Sequence, residues 1–217
     1  MIITAWIGAA LSLLDGTARA PQHPVPDRNP VLLIHGIAET ESGMTRMATF
    51  LRAEGWEVHT ISLRPNLGQA GLEPLAREIE KYADEELHGR KFDLVGFSMG
   101  GLVSRYYMQR LGGVRRVEHF VTLSAPHGGS YWAWLVQNDG CREMRPGSAF
   151  LRDLDRDADE LRRVKFTSLY TPWDIVIVPS RSSLMPQARN VKVPVGSHPG
   201  MVLRRPSLLA VAVALRA

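Results

Sequence analysis

Short continuous apolar runs alternate along the chain with stretches whose apolar residues recur at helical spacing. Val31, Leu32, Leu33 and Ile34 form an unbroken run, the pattern of a strand covered on both faces. Residues 43–54 read as a helix ending near Gly55, and residues 57–63 as the next strand. Across residues 71–88, Leu72, Leu75, Ala76, Ile79, Tyr82, Ala83 and Leu87 share one helical stripe. Residues 92–97 predict a strand and 99–111 a helix. Residues 117–123, 165–170 and 190–195 predict strands, and 201–215 a closing helix. This alternation predicts the α/β class, with a mostly parallel sheet and helices on both faces. Residues 126–163 interrupt the rhythm with a long mixed segment. In such a fold an insertion lies over the carboxyl ends of the strands, where ligands bind.

Composition fits one globular domain. The 217 residues are 45% apolar and 22% charged, which argues against a disordered chain or a coiled coil. The net charge of +4 is mild and points to no nucleic-acid partner. Cys141 is the sole cysteine, so there is no intramolecular disulfide and no cysteine-rich metal site. In residues 1–20 an apolar stretch from Ala5 to Leu14 precedes Ala18-Arg19-Ala20, which resembles a signal-peptide cleavage site. The basic residues that normally open a signal peptide are missing, and the stretch is too short to span a bilayer. A signal peptide, an ordered helix and a membrane-surface anchor all remain open, with a secreted or periplasmic address placed ahead of a cytoplasmic one. Residues 21–30 contain four prolines and read as an extended linker. The expected division is therefore a segment of residues 1–28 and a folded domain of residues 29–217.

The strongest chemical signal is Gly96-Phe97-Ser98-Met99-Gly100-Gly101, a G-x-S-x-G pattern between a predicted strand and a predicted helix. So tight a turn has no room for side chains beside the serine, and it presents Ser98 at a helix N-terminus that favours developing negative charge. The plainer reading is an ordinary N-capping serine. A serine nucleophile needs a base, and the base needs an orienting carboxylate, in the chain order Ser, acid, His. After Asp174 the chain contains no Asp or Glu, and His198 is the sole histidine beyond it. Both fall just after predicted strands, on the same edge as Ser98, so Asp174 is the expected acid and His198 the expected base. The alternating Asp153, Asp155, Asp157 and Asp159 with their neighbouring arginines read instead as a solvated, ion-paired helix face. His119 reads as a structural strand residue, and His127 as a lining residue at the site edge. The oxyanion requires two N–H donors, expected from Met99 and, in the loop His35-Gly36-Ile37-Ala38, from Ile37. His35 is expected to hold that loop by hydrogen bonds.

These pieces together resemble the bacterial lipase/esterase branch of the α/β-hydrolase superfamily. The likeness rests on residues 30–37, 96–101, 122–130 and 144–151 with Asp174 and His198, and runs over about residues 30–215. It implies an α/β-hydrolase fold of the small single-domain lipase type, with a six-stranded sheet and little or no cap. It implies Ser98, Asp174 and His198 as the triad, Ile37 and Met99 as oxyanion donors, and no metal or cofactor. Phe97 departs from the His or Tyr common at that position in lipases, and Tyr131, Trp132 and Trp134 mark a candidate flap. The leading expectation is a serine hydrolase that cleaves carboxylic esters with apolar acyl chains. An acyltransferase, a thioesterase or a polyester hydrolase would use the same triad. The non-enzyme alternative is a membrane-surface or ligand-binding protein on this fold. Trp132, Trp173 and Ile175 are further candidate lining residues. Residues 175–217 hold Arg181, Arg189, Lys192, Arg204, Arg205 and Arg216 without an acid, so a lipid surface is a candidate peripheral partner of an expected monomer. An ordinary solvated face is the plainer account of that charge.

Overall fold

A computed structural model describes Val25 and residues 28–217. The expectations for residues 1–20 lie outside the described residues, as does most of the proline-rich linker. The strands are β1 (Val31–Ile34), β2 (Val58–Ile61), β3 (Phe92–Phe97), β4 (Val117–Leu123), β5 (Lys165–Tyr170) and β6 (Arg189–Lys192). They form one six-stranded sheet in the order β2-β1-β3-β4-β5-β6, and every pairing is parallel. The main helices are α1 (Thr45–Ala53), α2 (Glu73–Glu85), α3 (Met99–Arg110), α4 (Asp139–Glu143), α5 (Ala149–Arg156), α6 (Gly200–Leu203) and α7 (Arg205–Ala214).

A parallel sheet must be covered on both faces, and period-two alternation divides its side chains between two cores. Leu32, Ile34, Leu94 and Phe120 pack with Leu75 and Ile79 of α2 and Leu102 of α3. Val31, Leu33, Val95 and Val121 pack on the opposite face with Met47 and Leu51 of α1 and Leu208 and Val211 of α7. The unbroken run in β1 is thus buried on both sides. From β1 the chain moves outward to β2, then returns past β1 to β3 and continues the other way. Strand order therefore reverses between β1 and β3. The loops leaving their carboxyl ends diverge there and open the crevice where ligands bind in such sheets.

Three elements differ from expectation. The closing helix is split: Arg204 is extended, at φ −92° and ψ 139°, and α7 restarts with Pro206 in its first turn. Proline has no N–H and its ring clashes with the carbonyl four residues back, so it kinks or breaks a helix, and here the break falls just before it. The last strand stops at Lys192, two residues short of Pro194, which cannot donate to a ladder. The acids around α5 do more than face solvent. Arg105 of α3 is completely buried, and its guanidinium meets Asp155 at 2.8 Å and the His127 carbonyl at 3.3 Å. Arg110 reaches Asp153 and Asp157. These ion pairs tie the inserted segment to α3, the helix that starts at Ser98.

The pair Arg105–Asp155 is lopsided, because the Asp155 side chain is 61% exposed. Removing Asp155 strands a charge inside the protein, whereas removing Arg105 leaves a carboxylate that water can solvate. Asp155→Ala should cost about 3 kcal/mol of stability in urea denaturation, and Arg105→Met should cost less. The opposite ranking would contradict this account.

Candidate active site

Ser98 joins β3 to α3 with no intervening loop and sits at φ 54° and ψ −126°, a conformation that L residues rarely adopt. Its neighbours make that turn sterically feasible. A Cβ on Gly96 would lie 2.6 Å from Gly101 Cα, and one on Gly101 would lie 2.5 Å from Ala125 Cβ. A Cβ on Gly100 would come within 2.8 Å of the Ile34 carbonyl oxygen. The Ser98 side chain makes no capping hydrogen bond, so the N-cap reading does not describe it. It opens instead onto a cavity at the carboxyl end of the sheet.

Asp174 follows β5 and His198 follows β6. His198 Nδ1 lies 2.7 Å from Asp174 Oδ2, and both side chains are buried. The other carboxylate oxygen accepts from Val176 N–H and Ile177 N–H, each at 2.9 Å. Burial acts to raise the Asp174 pKa, but the His198 hydrogen bond, the His198 charge and the Ile177 N–H outweigh it, so the carboxyl is held below its ordinary range. An ionised Asp174 can only accept, so His198 Nδ1 carries the proton of this bond, and in the neutral tautomer the open lone pair is on Nε2. The Phe97 ring packs 4.7 Å, centroid to centroid, from the His198 ring. Phe97 precedes Ser98 directly, so the elbow itself holds the imidazole in place. Thr171 Oγ1 donates to the Val195 carbonyl and ties the acid loop to the histidine loop.

The loop after β1 completes the arrangement. A Cβ on Gly36 would lie 3.2 Å from Ser98 Cβ, tighter than an ordinary contact, so glycine lets the loop backbone run beside the serine without displacing it. Leu63 N–H donates to His35 Nε2 at 2.9 Å, and Nδ1 lies 2.7 Å from the Gly36 carbonyl. That pairing makes His35 the Nδ1–H tautomer and fixes the loop, as the sequence suggested. Gly36 N–H is taken by Glu39 and Ala38 N–H by the Asn66 carbonyl. Among the described residues, the Ile37 and Met99 N–H groups have no protein acceptor.

The cavity has a volume of about 390 Å³ and an almost wholly apolar lining. Ile37 and Met99 line it together with Ser98. The segment Tyr131–Trp134 and the residues after it form a flap that contributes Trp132, Leu135 and Val136. Ile175, Val176 and Ile177, from the same segment whose N–H groups hold Asp174, add to the lining. Of the four expected lining residues, Trp132 and Ile175 face the cavity, while Trp173 stands exposed beside it. His127 is not a lining residue. It is buried in the core, with Nε2 against Thr122 Oγ1 at 3.1 Å and its ring edge-on to Phe166. Burial, with Arg105 nearby, pushes its pKa well down, so it is neutral. Ser130, which the sequence reading passed over, pins the flap to the acid loop: its hydroxyl donates to the Val176 carbonyl at 2.7 Å and accepts from Val178 N–H at 3.1 Å. Among the described residues, no group of three or more His, Cys, Asp or Glu side chains could hold a metal ion.

The model of the palmitoyl protein thioesterase family matches residues 30–173, a span that includes Ile37, Ser98 and Met99 and stops one residue before Asp174. The lysosomal thioesterase PPT2 homolog of Drosophila melanogaster is 32% identical over 111 residues, covering 47% of this chain and 37% of that protein. The chain thus matches well under half the length of this relative. Among solved structures, the mature Bacillus licheniformis lipase BlEst2 is similar with a TM-score of 0.70 at 20% identity, covering 91% of this chain and 95% of that one. Aspergillus fumigatus lipase B gives a TM-score of 0.73 at 15% identity, covering 90% of this chain and 56% of that one. At these identities the two lipases establish the α/β-hydrolase fold and nothing finer.

The depressed Asp174 pKa has a measurable consequence. The folded value lies below the ordinary 3.8, so ionised Asp174 stabilises the fold fully above that pH and loses its contribution as pH falls through the folded value. The stability gap between the wild type and Asp174→Asn, measured by chemical denaturation, should be present at about pH 6 and narrow progressively below about pH 3.8. A gap that persists unchanged into acid would contradict the assignment.

Proposed function

Since the chain belongs to the palmitoyl protein thioesterase family, we propose that it hydrolyses thioesters of long apolar acyl chains. The expectation from sequence placed oxygen esters first and thioesters among the alternatives, and the family match favours the thioester alternative. The observation that carries the proposal is the apolar cavity that has Ser98 in its lining. An acyl chain fills it, and its carbonyl carbon then meets the serine.

In the proposed reaction Ser98 Oγ attacks that carbon while His198 Nε2 takes the hydroxyl proton. Ile37 and Met99 N–H groups receive the oxyanion, and Asp174 stabilises the imidazolium. The C–S bond breaks, and His198 returns the proton to the departing sulfur. A thiolate is a far better leaving group than an alkoxide, because its conjugate acid has a pKa of about 8.5, so this step asks little of the general acid. Water then attacks the acyl-Ser98 ester and gives a proton to His198. Collapse releases the carboxylic acid and restores the serine hydroxyl.

The test is a series of acyl thioesters of increasing chain length, each paired with its oxygen ester, assayed below the concentration at which it forms micelles. Each methylene buried in the cavity contributes about 0.8 kcal/mol. The value of kcat/KM should therefore rise by up to about fourfold per methylene until the cavity is full. Ser98→Ala should lower kcat by about 10⁴-fold or more. A maximum at acetyl, or oxygen esters cleaved faster than their paired thioesters, would overturn the substrate assignment. Unchanged activity in Ser98→Ala would overturn the mechanism.

A further inference from the structure

The mouth of the cavity carries an unusual load of exposed apolar surface. Tyr131 is 59% exposed, Trp132 52%, Trp134 54%, Leu135 67%, Trp173 53% and Ile175 74%. Soluble proteins rarely leave so many large apolar side chains together in water without a partner to cover them. Trp132, Leu135 and Ile175 also line the cavity, so the interior continues outward into this rim without a polar break.

The charges around the rim point to the nature of that partner. The Arg145 guanidinium lies 4.5 Å above the Trp134 ring, and Lys192 Nζ lies 5.4 Å from the Trp173 ring. Across residues 130–137 and 171–178 the sole carboxylate is Asp174, which is buried and occupied by His198. The next acid along the flap, Asp139, is paired with Arg142 at 3.2 Å. The chain from residue 175 to its end adds cations and no acid. Indole rings that carry a cation suit the boundary between acyl chains and headgroups, where one part is apolar and the other wet. An anionic leaflet attracts the cations and adds to the apolar contact.

From this juxtaposition we propose that the flap and acid-loop rim is a docking surface for a lipid bilayer bearing anionic headgroups. The proposal rests on the reading of the cavity as an acyl-chain site. With the rim seated in the headgroup layer, the cavity opens toward the acyl phase. An acyl chain anchored in that leaflet then reaches Ser98 without crossing water, whereas a rim facing bulk water would expose the whole chain in transit.

The test is flotation of the full chain with phosphatidylcholine vesicles, with and without phosphatidylglycerol, beside the double variant Trp134→Ser, Trp173→Ser. Neither tryptophan lines the cavity. The wild type should bind phosphatidylglycerol-containing vesicles more tightly than phosphatidylcholine alone, and added salt should weaken that preference. The double variant should bind at least about tenfold more weakly while cleaving a short, water-soluble thioester within about twofold of the wild-type rate. Absent binding to either vesicle overturns the proposal, as does binding that survives intact in the double variant. So does a wild-type dimer in sedimentation that becomes a monomer in the variant, because the rim would then be covered by a second copy. Activity toward the soluble thioester is read separately, so loss of docking and loss of the thioesterase reading are distinguishable.

Discussion

The turn between β3 and α3 allows no side chain at Gly96, Gly100 or Gly101, and the geometry of the site follows from that constraint. Removing Cβ atoms there lets α3 press against the ends of β1 and β4. Only then can the strand enter the helix through one residue at φ 54°. The strained residue is the serine, and its hydroxyl is pushed clear of the helix it starts. Phe97, fixed by the same turn, offers its ring to His198. The position that departs from common lipase usage thereby acquires a packing role.

Around this fixed point, the acid loop serves two ends at once. Residues 174–178 supply the carboxylate that orients His198, and their Ile175, Val176 and Ile177 side chains form a wall of the cavity. Ser130 bonds the flap to both ends of the Val176–Val178 stretch. The walls that would hold an acyl chain are therefore mechanically continuous with the carboxylate that orients His198. Shape and electrostatics are set by one piece of backbone, with Asp174 desolvated by the same apolar surroundings that would favour an acyl chain.

Much of this was legible in the sequence because local rules sufficed. An unbroken apolar run fixes a doubly covered strand, as in β1. The G-x-S-x-G spacing fixes an elbow once a strand precedes it and a helix follows. With no acid after Asp174 and one histidine beyond it, the sequence singles out Asp174 and His198, and the fold brings these two together. What stayed hidden depends on contacts between distant segments. Ser130 meets Val176 across 46 residues, and Arg105 meets Asp155 across 50, so neither pairing leaves a local pattern. His127 sits in a glycine-flanked stretch that looks like a site edge, yet the fold turns it inward against Thr122 and Phe166. The split of the last helix had a local cause in Pro206, but the apolar periodicity masked it.

The central claim is that Ser98, activated by His198, is the residue that accepts the acyl group. A long-chain alkyl fluorophosphonate bonds irreversibly to an activated serine, and its tail fits the same apolar cavity as an acyl chain. Peptide mass spectrometry of the labelled full chain reads the site directly. One adduct is expected, on the peptide containing Ser98, lost in Ser98→Ala and strongly slowed in His198→Gln. An adduct elsewhere in the chain, or labelling that ignores His198, would contradict it.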